Sequence, residues 1–236
     1  MLLFNRDMQL LEKFIYIAVS ALALFTALPF HEFAHAWTAK KLGDPTAEYQ
    51  GRVSLNPLRH LDPIGSICIL LTGFGWAKPV PINPNNFTRK VSLRAGMAIT
   101  AIAGPLSNIL LSIITLILAK ISKHMMFIAF GGIGMGADIF YYVYIIFYYM
   151  ALINAGLAVF NLLPIPPLDG SRILTLILPQ RIYYKIMQYE QIIFIGVIIL
   201  MFSGILGTPI SWLRDLLMTG EKYLTKFVDV IFTKFI

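Results

Sequence analysis

His31-Glu32-Phe33-Ala34-His35 closes an apolar run, Phe14 to Phe30, that carries no charged residue. The run begins a membrane span, and the five residues at its end read H-E-x-x-H. On an α-helix, residues four apart lie on one face. His31 and His35 therefore point two imidazoles at one place, as a zinc ion requires. Glu32 is not needed as a ligand; in this motif the glutamate acts as general base, taking a proton from the attacking water. Idle polar side chains are costly within a span, so the three are a candidate metal and catalytic group.

Composition agrees with a membrane protein. Hydrophobic residues make up 58% and charged residues 13%, against about 25% charged in a soluble domain. The net charge of +7 then bears on topology and anionic lipid rather than nucleic acid. No arginine-rich block with interleaved aromatics is present, so no nucleic-acid partner is expected. Cys68 is the single cysteine, which excludes an intrachain disulfide and a cysteine metal cluster. The first apolar run is too long for a cleavable signal peptide and lacks a small-residue cleavage site before the histidines.

The expected fold is a polytopic all-α membrane bundle of about four spans, with a broken third span and a small β-hairpin or re-entrant insertion. Residues 1–13 form a short amphipathic lead-in, and 14–41 the first span. Residues 44–94 are rich in turn formers such as Asp44-Pro45, Asn56-Pro57 and Asp62-Pro63. Within them, 63–77 is uncharged but shorter than the about 20 residues a crossing needs, and reads as re-entrant or interfacial. Its flanks, 48–55 and 76–82, read as short strands, the second held to a sheet edge by Pro79 and Pro81. The second span is 95–119, followed by a loop with a glycine-rich tip at 131–136. The third, 139–163, runs on to Pro164-Ile165-Pro166-Pro167-Leu168-Asp169-Gly170, where the prolines end the helix while the chain is still apolar. A fourth span lies within 191–213. The tail from Glu221 reads as an interfacial amphipathic helix, with Lys222, Lys226, Asp229 and Thr233 on one stripe and Tyr223, Phe227, Ile231 and Phe235 on another. No internal repeat is visible. The chain divides into a core, 1–178, and a C-terminal span with its tail, 179–236.

Lys and Arg bias sets orientation. Lys40, Lys41, Arg52, Arg59, Lys78, Arg89, Lys90 and Arg94 fall between the first two spans, and Arg172, Arg181 and Lys185 after the third; Arg6, Lys13, Lys120 and Lys123 fall on the other side. The chain is thus expected in the cell membrane, multi-pass, with the histidines and Asp169 near the cytoplasmic side.

A catalytic zinc takes three protein ligands and keeps one position open. Asp169, His60, Asp62, Asp138, Glu190 and His124 are the candidates for the third. His124 and Asp138 fall on the wrong side, His60 and Asp62 in a turn-rich loop, and Glu190 at a span end. Asp169 has the best case, since it follows a broken helix at membrane depth and Gly170 leaves room beside it. Two neutral imidazoles and a carboxylate give a zinc centre with one net positive charge, suited to hydrolysis.

HEFAH on an early span and NLLPIPPLDG closing a later one resemble the site-2 proteases, the intramembrane zinc metalloproteases. GPLSN and the segment from GRVSLNPLRHLDPIGSI to GWAKPVPINP are similar to the compact members, and the resemblance runs from about Phe14 to about Leu178. It implies one Zn2+ per chain held by His31, His35 and Asp169, Glu32 as catalytic base, and a membrane-embedded protein as substrate. Asn161 belongs to the same signature and is a candidate for contacting substrate or a developing oxyanion, with Asn108 and Asn154 as weaker candidates of that kind. No segment resembles the PDZ or CBS domains of other members, and no feature sets an oligomeric state. Two readings compete: a non-catalytic membrane scaffold, and a metal-ion transporter using the same ligands. The intact Glu32 argues against the first, and the missing repeat symmetry against the second. The edge strand at 76–82 is expected to hold an unwound substrate by strand addition.

Overall fold

The computed structural model describes residues 10–72, 75–88 and 91–234. Residues 1–9 of the expected lead-in, Arg89, Lys90 and Phe235 lie outside these. Helix α1, Leu10–Lys41, has 32 residues. At 1.5 Å per residue it is about 48 Å long, more than a bilayer's hydrocarbon core of about 30 Å. Pro29 lies inside it, where its ring removes one backbone hydrogen bond, yet the helix continues through both histidines. A short helix α2, Thr46–Tyr49, and α3, Pro63–Thr72, follow.

Helix α4, Leu93–Phe130, is the centre of the bundle, with 38 residues. The Ser92 side chain accepts from Ala95 N–H and caps its start. At its end Gly131 takes the left-handed conformation at φ +59°, and its N–H returns to Phe127 O at 2.9 Å, an αL stop. The chain reverses there into α5, Met135–Leu162. Helix α4 packs against α5, α1 and α6. Small buried residues, including Ala98, Ala101, Gly104, Ala119, Ala151, Ala155 and Ala158, let these helices approach closely, the usual source of association where lipid removes the hydrophobic drive.

After irregular backbone at 163–168 come α6, Asp169–Ile177, α7, Gln180–Met187, α8, Glu190–Phe202, α9, Gly207–Leu224, and α10, Lys226–Phe232. Among the described residues, three helices are long and apolar enough to cross a membrane: α1 over Ile17–Lys41, α4 and α5. A fourth crossing exists if α7 and α8, bent by 62°, form one span. The protein is a polytopic all-α membrane protein.

Four expectations change. First, neither predicted strand forms among the described residues. Residues 46–49 are helical, and 76–82 is extended but pairs only through an isolated antiparallel bridge, Leu61 with Ala77. Pro79 and Pro81 have no N–H to give a ladder, which leaves the β-hairpin unsupported. Second, the second span does not stop at Ala119. Lys120 stays within α4 because its Nζ reaches Thr225 O at 3.2 Å and Asp229 Oδ2 at 2.5 Å, and His124 Nε2 lies 3.0 Å from Asp229 Oδ1. Third, α8 ends at Phe202, close to the expected end of the fourth span near 204–209, but by itself has 13 residues, so that span reaches crossing length only together with α7. Fourth, the tail buries Met218, Glu221, Thr225 and Val228 and not either predicted stripe. Met218 joins Leu116, Ala151 and Ala155 in the core, so α9 is part of the bundle.

Candidate metal centre

Helix periodicity brings His31 and His35 together on α1, with ring centroids 4.6 Å apart and Nε2 atoms 3.0 Å apart. Both rings are buried. Asp169 arrives from the other end of the core. Helix α5 stops at Leu162, and the proline-rich turn delivers Asp169 as the first residue of α6. The next residue must be glycine: a Cβ at Gly170 would lie 2.2 Å from Leu162 O and 2.4 Å from Leu163 O. This close fit sets Asp169 Oδ2 at 3.0 Å from His31 Nε2 and 3.3 Å from His35 Nε2.

The surrounding hydrogen bonds fix the tautomers. His35 Nδ1 lies 2.7 Å from Thr100 O, a carbonyl that only accepts, so Nδ1 carries the proton. His31 Nδ1 lies 2.6 Å from Asn108 Oδ1. The Asn108 amide nitrogen is directed at Asn154 Oδ1, 3.1 Å away, and Ala27 O, 3.4 Å away, so Asn108 Oδ1 is an acceptor and His31 Nδ1 donates. In the neutral rings both Nε2 atoms then hold lone pairs. Asp169 Oδ2 is buried with no hydrogen-bond donor. Three lone-pair atoms within 3.3 Å of one another repel unless a cation lies among them. Metal–ligand bonds of about 2.0–2.1 Å in a tetrahedron put ligand atoms roughly 3.3 Å apart, close to the observed spacing. The donor set fits zinc, and partners on Nδ1 are the usual means of orienting a metal-binding imidazole.

Glycine at 104 makes this possible. A Cβ there would lie 2.3 Å from His35 Nε2 and 2.6 Å from His31 Cε1. Thr100, Gly104 and Asn108 are spaced by four on α4 and present to the histidines a carbonyl, a gap and an amide. In the sequence Gly104 stands out only as the first residue of GPLSN and Thr100 not at all; the four-residue spacing of Thr100, Gly104 and Asn108 is the signal that joins them.

Glu32 is buried beside the first histidine, and its Oε2 accepts from Val80 N–H at 3.0 Å. It shares a cavity of about 420 Å3 with His31, His35 and Asp169. The extended residues 76–80 form one wall, and Ile153, Leu157 and Phe194 add apolar surface. Asn161 and Arg172 also line it; Arg172 was not anticipated as a cavity residue. Asn161 donates to Leu157 O at 3.0 Å. Asn108 and Asn154 lie behind His31 instead, both fully buried.

The other carboxylates and histidines stay elsewhere. His60 is bonded near Ser54 and Arg52, and Asp62 accepts from Gly65 N–H at the start of α3. Asp138 and Glu190 sit in the first turns of α5 and α8, and His124 faces Asp229. Among the described residues, only His31, His35 and Asp169 form a group able to hold a metal.

Comparison with known proteins adds an independent line. The family model described as Peptidase family M50 matches residues 124–203, which include Asp169 and exclude the histidine motif. YwhC of Bacillus subtilis (strain 168) is 36% identical over 227 residues, covering 94% of this chain and 98% of its own. Rip2 of Mycolicibacterium smegmatis is 29% identical over 167 residues, 66% of this chain and 56% of its own. Zinc metalloprotease MJ0392 of Methanocaldococcus jannaschii is 27% identical over 177 residues, 75% of this chain and 39% of its own. No solved structure matches the chain. With near end-to-end similarity to YwhC and a buried three-donor group fitted to zinc, the chain belongs to peptidase family M50, the site-2 proteases, and is a multi-pass membrane zinc metalloprotease.

Proposed function

We propose that this protease is an endopeptidase that cuts membrane-embedded protein substrates near the cytoplasmic side, with His31, His35 and Asp169 as zinc ligands and Glu32 as general base. The observation that carries the reading is the meeting of three proton-free donor atoms with a buried carboxylate in one apolar-walled cavity. Zinc supplies Lewis acidity toward the scissile carbonyl and water. Asn108 and Thr100 orient the two rings. Glu32 takes the proton of the attacking water and passes it to the leaving amine nitrogen. The apolar walls suit a substrate drawn from lipid and limit competing water.

A transmembrane helix hides its peptide bonds in internal hydrogen bonds, so the substrate must unwind locally. The extended segment 76–82 borders the cavity and offers backbone groups to an unwound strand. Asn161, on the cavity wall, is placed to meet the substrate.

The test is cleavage of single-span substrates co-expressed with the wild-type chain or with Glu32→Gln. Zinc content stays at one per chain in both, while cleavage falls by at least about a thousandfold in the variant. Normal cleavage by Glu32→Gln, or a wild-type chain without zinc, overturns the assignment.

A further inference from the structure

The cavity wall formed by residues 76–80 is tied down by a buried pair that has no part in holding the metal. Ala77 bridges to Leu61. Lys78 N–H donates to His60 O at 2.8 Å, and Lys78 O accepts from Arg52 Nη2. Two residues on, Val80 N–H donates to Glu32 Oε2 at 3.0 Å. Farther along, Asn83 N–H donates to Asp44 Oδ2 at 2.7 Å.

Arg52 is 5% exposed and His60 fully buried. His60 Nε2 donates to Ser54 O at 2.6 Å, which leaves a lone pair on Nδ1, 3.5 Å from Arg52 Nη2. Burial pushes this imidazole below its ordinary 6.5; the Ser54 carbonyl and Glu32 oppose the shift, while Arg52 and Arg59 add to it. A neutral ring is what a buried guanidinium tolerates, since protonation would set two cations side by side. Arg52 also feels the Glu32 carboxylate. Between Lys78 and Val80 stands Pro79, and Pro81 follows; both have fixed φ. Fewer free torsions are therefore left to absorb a displacement of Lys78 before it reaches Val80.

We propose that Arg52 and His60 are positioning residues for cleavage: the pair holds Lys78 and thereby keeps Val80 N–H on the Glu32 carboxylate. Without that link the base loses the Val80 N–H, a backbone donor that sets the direction of Glu32 Oε2. The inference rests on the protease reading above.

The test uses the full-length zinc-loaded chain. In Arg52→Gln and His60→Leu, kcat for a membrane substrate falls about tenfold to a hundredfold, KM stays within about twofold, and zinc content is unchanged. His60→Gln, which keeps one donor and one acceptor, recovers most of the loss. Val80→Pro removes the N–H itself, and adding Arg52→Gln to it costs nothing more, because both break one link. Hydrogen exchange at the Val80 amide speeds up in Arg52→Gln and His60→Leu without substrate. That measurement needs no cleavage, so it separates failure of this inference from failure of the protease reading, in which the wild type holds zinc and cuts nothing. Multiplying losses in the double variant, or unchanged Val80 exchange, overturn the proposal. Where neither Arg52→Gln nor His60→Leu folds, His60→Gln decides. As pH falls from about 7 to about 5, wild-type Val80 exchange should slow less than its intrinsic rate does, and His60→Gln exchange should follow the intrinsic rate; identical profiles sink the idea.

Discussion

A single missing methyl group sets the geometry of the proposed metal centre. Helix α4 lies so close to the two imidazoles that a Cβ at Gly104 would stand 2.3 Å from His35 Nε2. Neither ring can retreat freely, because His31 is bonded to Asn108 and His35 to Thr100. Gly104→Ala therefore shifts a ligand atom or breaks one of those bonds. It is expected to weaken zinc affinity by about tenfold to a hundredfold, read by competition with a chelator, while the helical content stays that of the wild type. Unchanged affinity would show that α4 moves away without cost.

Among elements, the loop after α1 is the part that looks irregular and is tightly held. Asp44 is fully buried and accepts from Thr46 N–H and its hydroxyl, Asn83 N–H and Asn86 Nδ2. It joins the end of α1 to the far end of the extended segment. Burial raises its carboxyl pKa, but the hydrogen bonds from Thr46, Asn86 and Asn83 outweigh burial and hold it below the ordinary 3.8. A depressed folded-state value means the stabilisation is complete above the unfolded value and is lost as pH falls through the folded one. Asp44→Asn should cost about 2 kcal/mol near neutral pH. The gap in melting temperature between variant and wild type should narrow as pH is taken from about 6 to about 3. A gap independent of pH would show that the charge contributes nothing. Helix α6 depends likewise on close contact: Gly170 against the carbonyls of Leu162 and Leu163 decides where Asp169 lies, so a short helix carries one of the three proposed ligands.

For the whole molecule, the proposed orientation follows from charge. The connection between α1 and α4 is rich in Lys and Arg, whereas the turn at 131–134 between α4 and α5 has none. If the charged connection is cytoplasmic, Ile133, which is 83% exposed, faces the outside. A chain with Cys68→Ser and Ile133→Cys should react with a membrane-impermeant maleimide in intact cells. Labelling only after permeabilisation reverses the orientation and places the catalytic cavity outside.

What the sequence determined by itself was local or additive. A four-residue spacing puts two histidines on one helix face, a long uncharged run marks a span, and three prolines within four residues break α5 ahead of Asp169. Each depends on neighbours along the chain. Tertiary structure alone decided what depends on distant partners. The tautomers of His31 and His35 are set by α4, 77 and 65 residues away. Lys120 remains in a helix because Asp229, 109 residues on, receives its charge. The expected strands fail because Pro79 and Pro81 cannot donate and, among the described residues, no neighbouring strand comes alongside. A side chain's unpaired lone pair or charge states a need that sequence makes visible, but packing chooses which distant group meets it.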